Sequence, residues 1–164
     1  MQRLLISAVA LAFLVTLPRP VAAQDANVVG AWKVKEFTAV EVESKKVVRG
    51  FGEKPYGYYV FSDGVFIGLV INSDRKKPAA PNPTDAERVE LSKTMGFTTG
   101  RYTLAGTKVT IAVDGSATEF PTGTTQVREA KISGDTMELV SPEVRSTATG
   151  NALIFTVTLE RVKK

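Results

Sequence analysis

The chain has 164 residues, with 21 basic and 17 acidic side chains, and it contains neither His nor Cys. These absences exclude a thiolate nucleophile, an imidazole base, a Ser-His-Asp triad and an ordinary zinc or copper site. The net charge of +4 is not concentrated in one stripe: Lys45-Lys46, Arg75-Lys76-Lys77 and Lys163-Lys164 stand at predicted turns or at the terminus, so we expect no nucleic-acid binding.

The first 23 residues are predicted to be a secretory signal peptide. Arg3 provides a positive start, Leu4 to Leu17 is an uncharged apolar run, and Val21-Ala22-Ala23 supplies small residues for cleavage before Gln24. A retained anchor is the alternative, but the run is shorter than the ~20 apolar residues of a membrane span. We therefore expect residues 24–164 to form one periplasmic or secreted domain without a stable membrane anchor.

Most of residues 24–164 show the pattern of short β-strands. The predicted strands are Val28–Val42, Lys46–Arg49, Tyr56–Phe61, Val65–Ile71, Thr98–Leu104, Lys108–Asp114, Thr124–Ile132, Thr136–Val140 and Ala152–Val162. Asp63-Gly64 between two aromatic and β-branched runs is a strong hairpin signal. About eight or nine antiparallel strands with Gly-containing turns indicate a barrel or a sandwich.

One helix is predicted, over Thr84–Met95. Its first residue and Glu87 have the spacing of a capping box, and a partial apolar stripe includes Leu91 and Met95. The preceding segment, Asn72–Pro83, is polar and contains three prolines, which an inner strand does not accommodate. We expect the helix to lie against the sheet or across an opening, with Leu91 and Met95 closing that opening.

The period of two along a strand places several polar side chains on inward rows. On the last strand, the apolar row of Leu153, Phe155, Val157 and Leu159 ends at Arg161. On the first strand, Trp32 shares its face with Val34 and, unless a bulge intervenes, with Glu36. On Thr124–Ile132, Gln126 and Arg128 share the inward face with Ala130 and Ile132.

Several segments in this order resemble the bacterial lipocalin-like domain family. They are Val29-Gly30-Ala31-Trp32, Phe51-Gly52-Glu53-Lys54-Pro55-Tyr56-Gly57-Tyr58, Gly100-Arg101-Tyr102-Thr103-Leu104, Thr124-Thr125-Gln126-Val127-Arg128 and Leu159-Glu160-Arg161-Val162. The resemblance implies an all-β fold, a single antiparallel up-and-down barrel of the calycin type with an interior cavity and, here, one inserted short helix. It also implies that Trp32 packs at the closed end of the barrel with Arg161 across it, a structural pair rather than a ligand contact.

Arg128 is the strongest candidate for contact with a ligand. A buried Arg needs a partner, because an unpaired buried charge costs several kcal/mol. One interpretation is an ion pair with Glu36 that fixes strand register; the other is an Arg that meets a carboxylate or enolate of a ligand. Gln126 lies beside Arg128 on the same row. Arg101 is a further candidate, but the pattern of its strand does not decide which of the two rows faces inward.

The aromatic side chains around the Asp63-Gly64 hairpin are candidates for the cavity wall. Most of this cluster, which comprises Tyr56, Tyr58, Tyr59, Phe61 and Phe66, is expected to be ordinary core. Tyr58, Phe66 and the loop residue Phe120 are predicted to line the mouth together with Phe51, where a Tyr hydroxyl gives orientation within an apolar pocket.

These patterns favour an exported protein that binds a small apolar or amphipathic molecule inside the barrel. Neither a Gly-rich phosphate loop nor an acidic metal cage is present in the pattern, so we expect no cofactor and no metal, and we assign no catalytic residue. Two alternatives stay open: a cyclase or isomerase that uses Arg, Tyr and Glu on the same barrel, and an envelope interaction module whose barrel is filled with side chains. The pattern does not identify a protein partner.

Overall fold

A computed structural model describes residues 27–146 and 149–163. The predicted signal peptide, residues 1–23, lies outside these ranges. In the described part of the chain, no helix combines the length and the apolar character that crossing a membrane requires.

Ten strands and one helix make up the described chain. They are β1 (Gly30–Glu41), β2 (Val47–Val48), β3 (Tyr56–Ser62), β4 (Val65–Ile71), α1 (Asp85–Lys93), β5 (Met95–Ala105), β6 (Lys108–Ser116), β7 (Thr125–Ser133), β8 (Thr136–Val140), β9 (Val144–Arg145) and β10 (Ala152–Arg161). Eight of them pair in the order β1-β3-β4-β5-β6-β7-β8-β10, and β1 pairs again with β10. The sheet therefore closes on itself as an antiparallel barrel, as expected, and the short β2 and β9 extend it.

The β3–β4 hairpin forms where the Asp-Gly signal predicts it. Ser62 pairs with Val65, and the two residues between them have positive φ, 48° at Asp63 and 77° at Gly64. A turn with positive φ at both central positions has the twist that antiparallel strands require, and Asp followed by Gly adopts it at low cost.

Helix α1 is shorter than the predicted Thr84–Met95. Thr84 is its N-cap, and its hydroxyl accepts from the Glu87 backbone N–H while the Glu87 carboxylate accepts from the Thr84 backbone N–H. The backbone N–H groups of Thr84 and Ala79 donate to the Glu87 carboxylate and hold the pKa of Glu87 below its usual value. No residue of the helix is buried, and Met95 belongs to β5, so the helix lies at the rim of the barrel rather than in its core.

The hydrophobic core fills the end of the barrel where β1 begins and β10 ends. Trp32, Phe61, Met137 and Leu159 are fully buried there, together with Val28 in front of β1. The indole N–H of Trp32 donates to the Val28 carbonyl at 2.8 Å, so its one polar group is satisfied inside the core. This end of the barrel is closed and packed.

A β-bulge in β1 reverses the facing of the residues that follow it. Val34 pairs with Leu159, but Glu36 pairs with Thr158, so one extra residue of β1 is inserted between them. A shift of one residue exchanges the two faces of a strand. Beyond the bulge, Phe37 and Ala39 occupy the inward row. The inward position of Glu36 was expected only for a strand without a bulge, and Glu36 instead faces outward.

Candidate ligand-binding cavity

The half of the barrel opposite the packed core contains a cavity of about 350 Å³. It lies between the last residues of β4 and β6 and the first residues of β5, and α1 and the loop that follows β6 border its mouth. Its apolar wall comprises Phe37, Phe51, Phe66, Val70, Met95, Phe97, Ile111, Leu139 and Val157. The barrel is thus filled at one end and hollow at the other.

Aromatic rings in edge-to-face contact form one side of this cavity. The ring centroids of Phe37 and Phe51 are 4.9 Å apart, and those of Tyr59 and Phe66 are 5.4 Å apart. Edge-to-face pairs of this kind are favourable beyond the area they bury. They hold the cavity wall in a defined shape instead of letting it collapse inward.

Two glycines make room for these rings. A Cβ on Gly68 would lie 2.7 Å from the Phe66 ring, and a Cβ on Gly96 would lie 2.9 Å from the Phe51 ring. Real side chains do not approach this closely, so larger residues at either position would displace an aromatic ring. No sequence signal marked these glycines as part of the site.

Arg128 extends from β7 into the cavity. It pairs with Val109, which is fully buried, so it stands at the inner end of the hollow half. Its guanidinium donates to the Val127 carbonyl at 2.8 Å and to Gln126 Oε1 at 3.2 Å. Both acceptors are neutral, and burial lowers the pKa of Arg128.

Tyr59 lies close enough to Arg128 for their pKa values to be coupled. Burial raises the pKa of Tyr59 to about 12, and the nearby Arg128 charge opposes part of this increase. At neutral pH the phenol is protonated, as that of an ordinary Tyr also is, so its O–H is able to donate a hydrogen bond. Its hydroxyl has no hydrogen-bond partner among the residues that the structure describes.

Glu36 is not the partner of Arg128. Its carboxylate accepts a hydrogen bond from Arg49 Nη2 at 3.2 Å. Both side chains are about 40% exposed on the outside of the barrel. The bulge in β1 is the physical cause, because it turns Glu36 to the outer face. Of the polar candidates, Gln126 and Arg128 lie together in the cavity wall, and Glu36 does not join them.

Arg101, Tyr58 and Phe120 are also outside the cavity. Arg101 is exposed because its strand neighbour Tyr102 takes the inward row and packs edge-to-face on Phe61, with centroids 5.2 Å apart. Tyr58 is 51% exposed on the outer face of β3, and Phe120 is 80% exposed in the loop between β6 and β7. The prediction that Tyr58 and Phe120 line the mouth is therefore wrong, and the facing of Arg101, which the sequence left open, is outward. Phe66 does line the cavity.

Of the two residues expected to close the mouth, Met95 lies at the cavity and Leu91 does not. Met95 lines the cavity from β5, and Leu91 instead faces a depression on the outer side of α1. Ser92 and Lys93, at the end of α1, border the cavity. No sequence signal distinguished them. Only the last turn of the helix contacts the rim, and such a helix needs no continuous apolar stripe.

The closed end contains the expected pair of Trp32 and Arg161. The guanidinium carbon of Arg161 lies 4.0 Å from the centroid of the indole ring. The same guanidinium donates to the carbonyls of Val29 at 3.0 Å and Asn27 at 2.9 Å. These contacts connect the segment before β1 to the end of β10, far from the cavity mouth.

A second depression, of about 480 Å³, lies outside the barrel between residues 74–79 and α1. Long charged side chains of both signs, among them Lys76, Lys77, Glu87 and Glu90, form much of its wall. No aromatic ring lines it. The interior cavity, although smaller, has the aromatic wall and the few convergent polar groups typical of small-molecule sites.

Across residues 27–146 and 149–163, no three acidic side chains cluster closely enough to hold a metal ion. A family model described as a lipocalin-like domain matches residues 29–162. None of the curated proteins matches the chain. Because the model spans most of the sequence and the fold is the closed barrel that it implies, this protein belongs to the lipocalin-like domain family.

Proposed function

We propose that this protein binds a small, largely apolar molecule in the hollow half of its barrel. The cavity of about 350 Å³ with its aromatic wall carries this proposal. Pockets that bind small molecules measure roughly 300–1,000 Å³ and combine an apolar lining with a few polar groups. Gln126, Arg128 and Tyr59 supply such groups here.

The cavity also distinguishes binding from the filled-barrel alternative. An eight-stranded barrel is just wide enough either to be filled by side chains or to hold one small ligand. In this protein side chains fill the Trp32 end, whereas the end near Met95 contains the cavity, and this cavity supports the binding of one small ligand. A barrel that is filled with side chains throughout would not contain an aromatic-walled cavity.

Binding is better supported than catalysis. A general acid or base works best when its pKa is near the operating pH. The pKa of Tyr59 is displaced away from neutrality, to about 12, and no Asp or Glu of the described chain lines the cavity. The cyclase or isomerase alternative therefore lacks a group suited to proton transfer.

Export is the second part of the proposal. The charged start, apolar run and small residues of positions 1–23 support a cleaved signal peptide, and the absence of Cys leaves no cysteine for a lipid tether. The binding domain would then act in the periplasm or outside the cell. Detection of a mature chain that begins at Gln24 in a periplasmic fraction tests this point, and an uncleaved chain in the membrane fraction contradicts it.

A cavity-filling variant tests the binding proposal. Thr98 lines the cavity, and Thr103 is exposed on the same strand, so Thr98→Phe fills the cavity while Thr103→Phe is its matched control. Native and denaturing mass spectra of protein purified gently from cells are expected to show an added small mass on the wild type and on Thr103→Phe but not on Thr98→Phe. A ligand-free wild type that also fails to bind added decan-1-ol or decanoate contradicts the proposal.

A further inference from the structure

Building on the proposed binding function, we propose that the cavity selects a small organic anion: a monocarboxylate whose head group is bound by Arg128, Tyr59 and Gln126 and whose apolar part contacts the aromatic wall. The ligand class is set by the inner end of the cavity. There the described residues present hydrogen-bond donors and a positive charge but no acid.

Arg128 has unused capacity to bind an anion. Its hydrogen bonds to Val127 O and Gln126 Oε1 occupy only part of the guanidinium fork. A cation inside a barrel is costly when neutral acceptors are its only partners, and a carboxylate partner offsets that cost. The fork matches a carboxylate geometrically, because both can form two parallel hydrogen bonds.

Two neighbours add donors rather than acceptors. The Tyr59 phenol is held protonated, and its hydroxyl has no partner in the described part of the protein. Gln126 uses its amide oxygen to accept from Arg128, which leaves its amide N–H groups for another acceptor. A ligand that completes this arrangement has to supply acceptors, and a carboxylate supplies them without supplying a donor.

The charge of the whole cavity has the same sign. Lys93 and Arg128 are the two charged residues that line it within the described ranges, and both are cationic. Lys93 stands at the rim, where it pairs with Glu90 at 3.0 Å on the exposed side of α1. This pair offsets much of the Lys93 charge, so Arg128 at the inner end is the cation that favours an anion over a cation.

The cavity volume limits the size of the ligand. At about 30 Å³ for each water-sized group, 350 Å³ holds roughly a dozen non-hydrogen atoms. With the head group at Arg128, the remainder of such a ligand contacts Phe37, Phe51 and Phe66. A medium-chain fatty acid or a compact aryl acid has this size and polarity, whereas a long-chain lipid exceeds it.

The test compares decanoate with decan-1-ol, which share an alkyl chain and differ in the charge of the head group. Isothermal titration calorimetry near pH 7, where a carboxylic acid is ionised, measures both affinities. The wild type is expected to bind decanoate at least about tenfold more tightly than decan-1-ol. This ratio corresponds to the lower end of the free energy that a hydrogen bond to a charged group contributes. Arg128→Met is expected to lose the preference, and the exposed Arg101→Met is expected to keep it.

The outcomes separate the two proposals. Equal affinity for the acid and the alcohol in the wild type overturns anion selection and leaves small-molecule binding intact. Failure of the wild type to bind either probe contradicts both. The ratio of the two affinities in the wild type can be measured without any variant. Tyr59→Phe is a second, conservative change, and it is expected to reduce the preference for decanoate without removing it. A preference that survives in Arg128→Met also overturns the assignment.

Discussion

The guanidinium of Arg128 donates to the side chain of Gln126, two residues earlier on the same strand, at 3.2 Å. Residues two apart on a strand share a face, so both side chains point into the barrel. An Arg inside a small barrel, with a neutral amide and a neutral carbonyl as its partners, is unusual, because a buried charge is normally paired with its opposite.

Replacement of Arg128 by Met is expected to leave the free energy of unfolding unchanged or to raise it by up to about 2 kcal/mol. The variant removes a cation that lacks an acidic partner, and an apolar side chain of similar length suits the wall of the cavity. Urea unfolding of the ligand-free protein measures the change. A loss of more than about 2 kcal/mol would indicate a stabilising partner for Arg128 and would contradict this account.

Tyr59 is expected to make stability fall at alkaline pH. Its folded pKa of about 12 lies above the ordinary value of 10, so the unfolded chain loses this proton first. The stabilisation is fully present below pH 10 and is lost as pH rises toward 12. At about pH 11 the loss amounts to about 1.4 kcal/mol for a shift of this size.

The difference between the wild type and Tyr59→Phe isolates this effect, since Tyr102 also has a raised pKa and contributes to both proteins. Urea unfolding of both proteins at about pH 8 and about pH 11 gives the free energy of unfolding that each protein loses between these two conditions. If the wild type loses no more stability than Tyr59→Phe between these conditions, the phenol is not buried beside Arg128.

Glu36→Gln is expected to cost less than about 1 kcal/mol of stability and to leave ligand binding unchanged. Its ion pair with Arg49 is exposed, and pairs of this kind contribute little. Thermal unfolding and the decanoate titration measure the two effects. A large loss of either property would place Glu36 inside the barrel and would contradict the bulge in β1.

Arg161→Met is expected to lower the free energy of unfolding by about 2 kcal/mol. The variant loses the cation–π contact with Trp32 and the hydrogen bonds to the carbonyls of Val29 and Asn27. Lys163→Met is a suitable control, because its pair with Asp135 is exposed to solvent and is expected to contribute little to stability. Equal effects of the two variants would argue against a structural role for the Trp32–Arg161 contact.

The barrel could be predicted from the sequence because its strongest signals are local. Asp63-Gly64 has few conformations other than a hairpin turn, and the alternation in Ala152–Val162 indicates both a strand and its inward face. The two-residue β9 was missed because a pair of residues carries no period. The start of β5 at Met95, directly after α1, was missed because helical and strand patterns overlap there.

The cavity was only partly predictable, because the facing of its residues depends on bulges and on contacts between distant segments. A bulge adds one residue at a position that strand periodicity does not reveal, and the one in β1 reversed the facing of Glu36. The facing of Arg101 depended on the packing of Tyr102 against Phe61, which is a contact between distant segments. Arg128 and Gln126 were placed correctly because no bulge interrupts their pairing with β6.

Methionine-methyl NMR of the chain beginning at Gln24 tests the central claim most directly, because that chain contains two methionines in different halves of the barrel. Met95 lines the cavity, and Met137 is fully buried in the packed half. The account predicts that decanoate shifts the Met95 methyl signal and leaves that of Met137 nearly unchanged. If neither signal moves at saturating decanoate, or if only Met137 responds, the cavity is not the binding site and the account is contradicted.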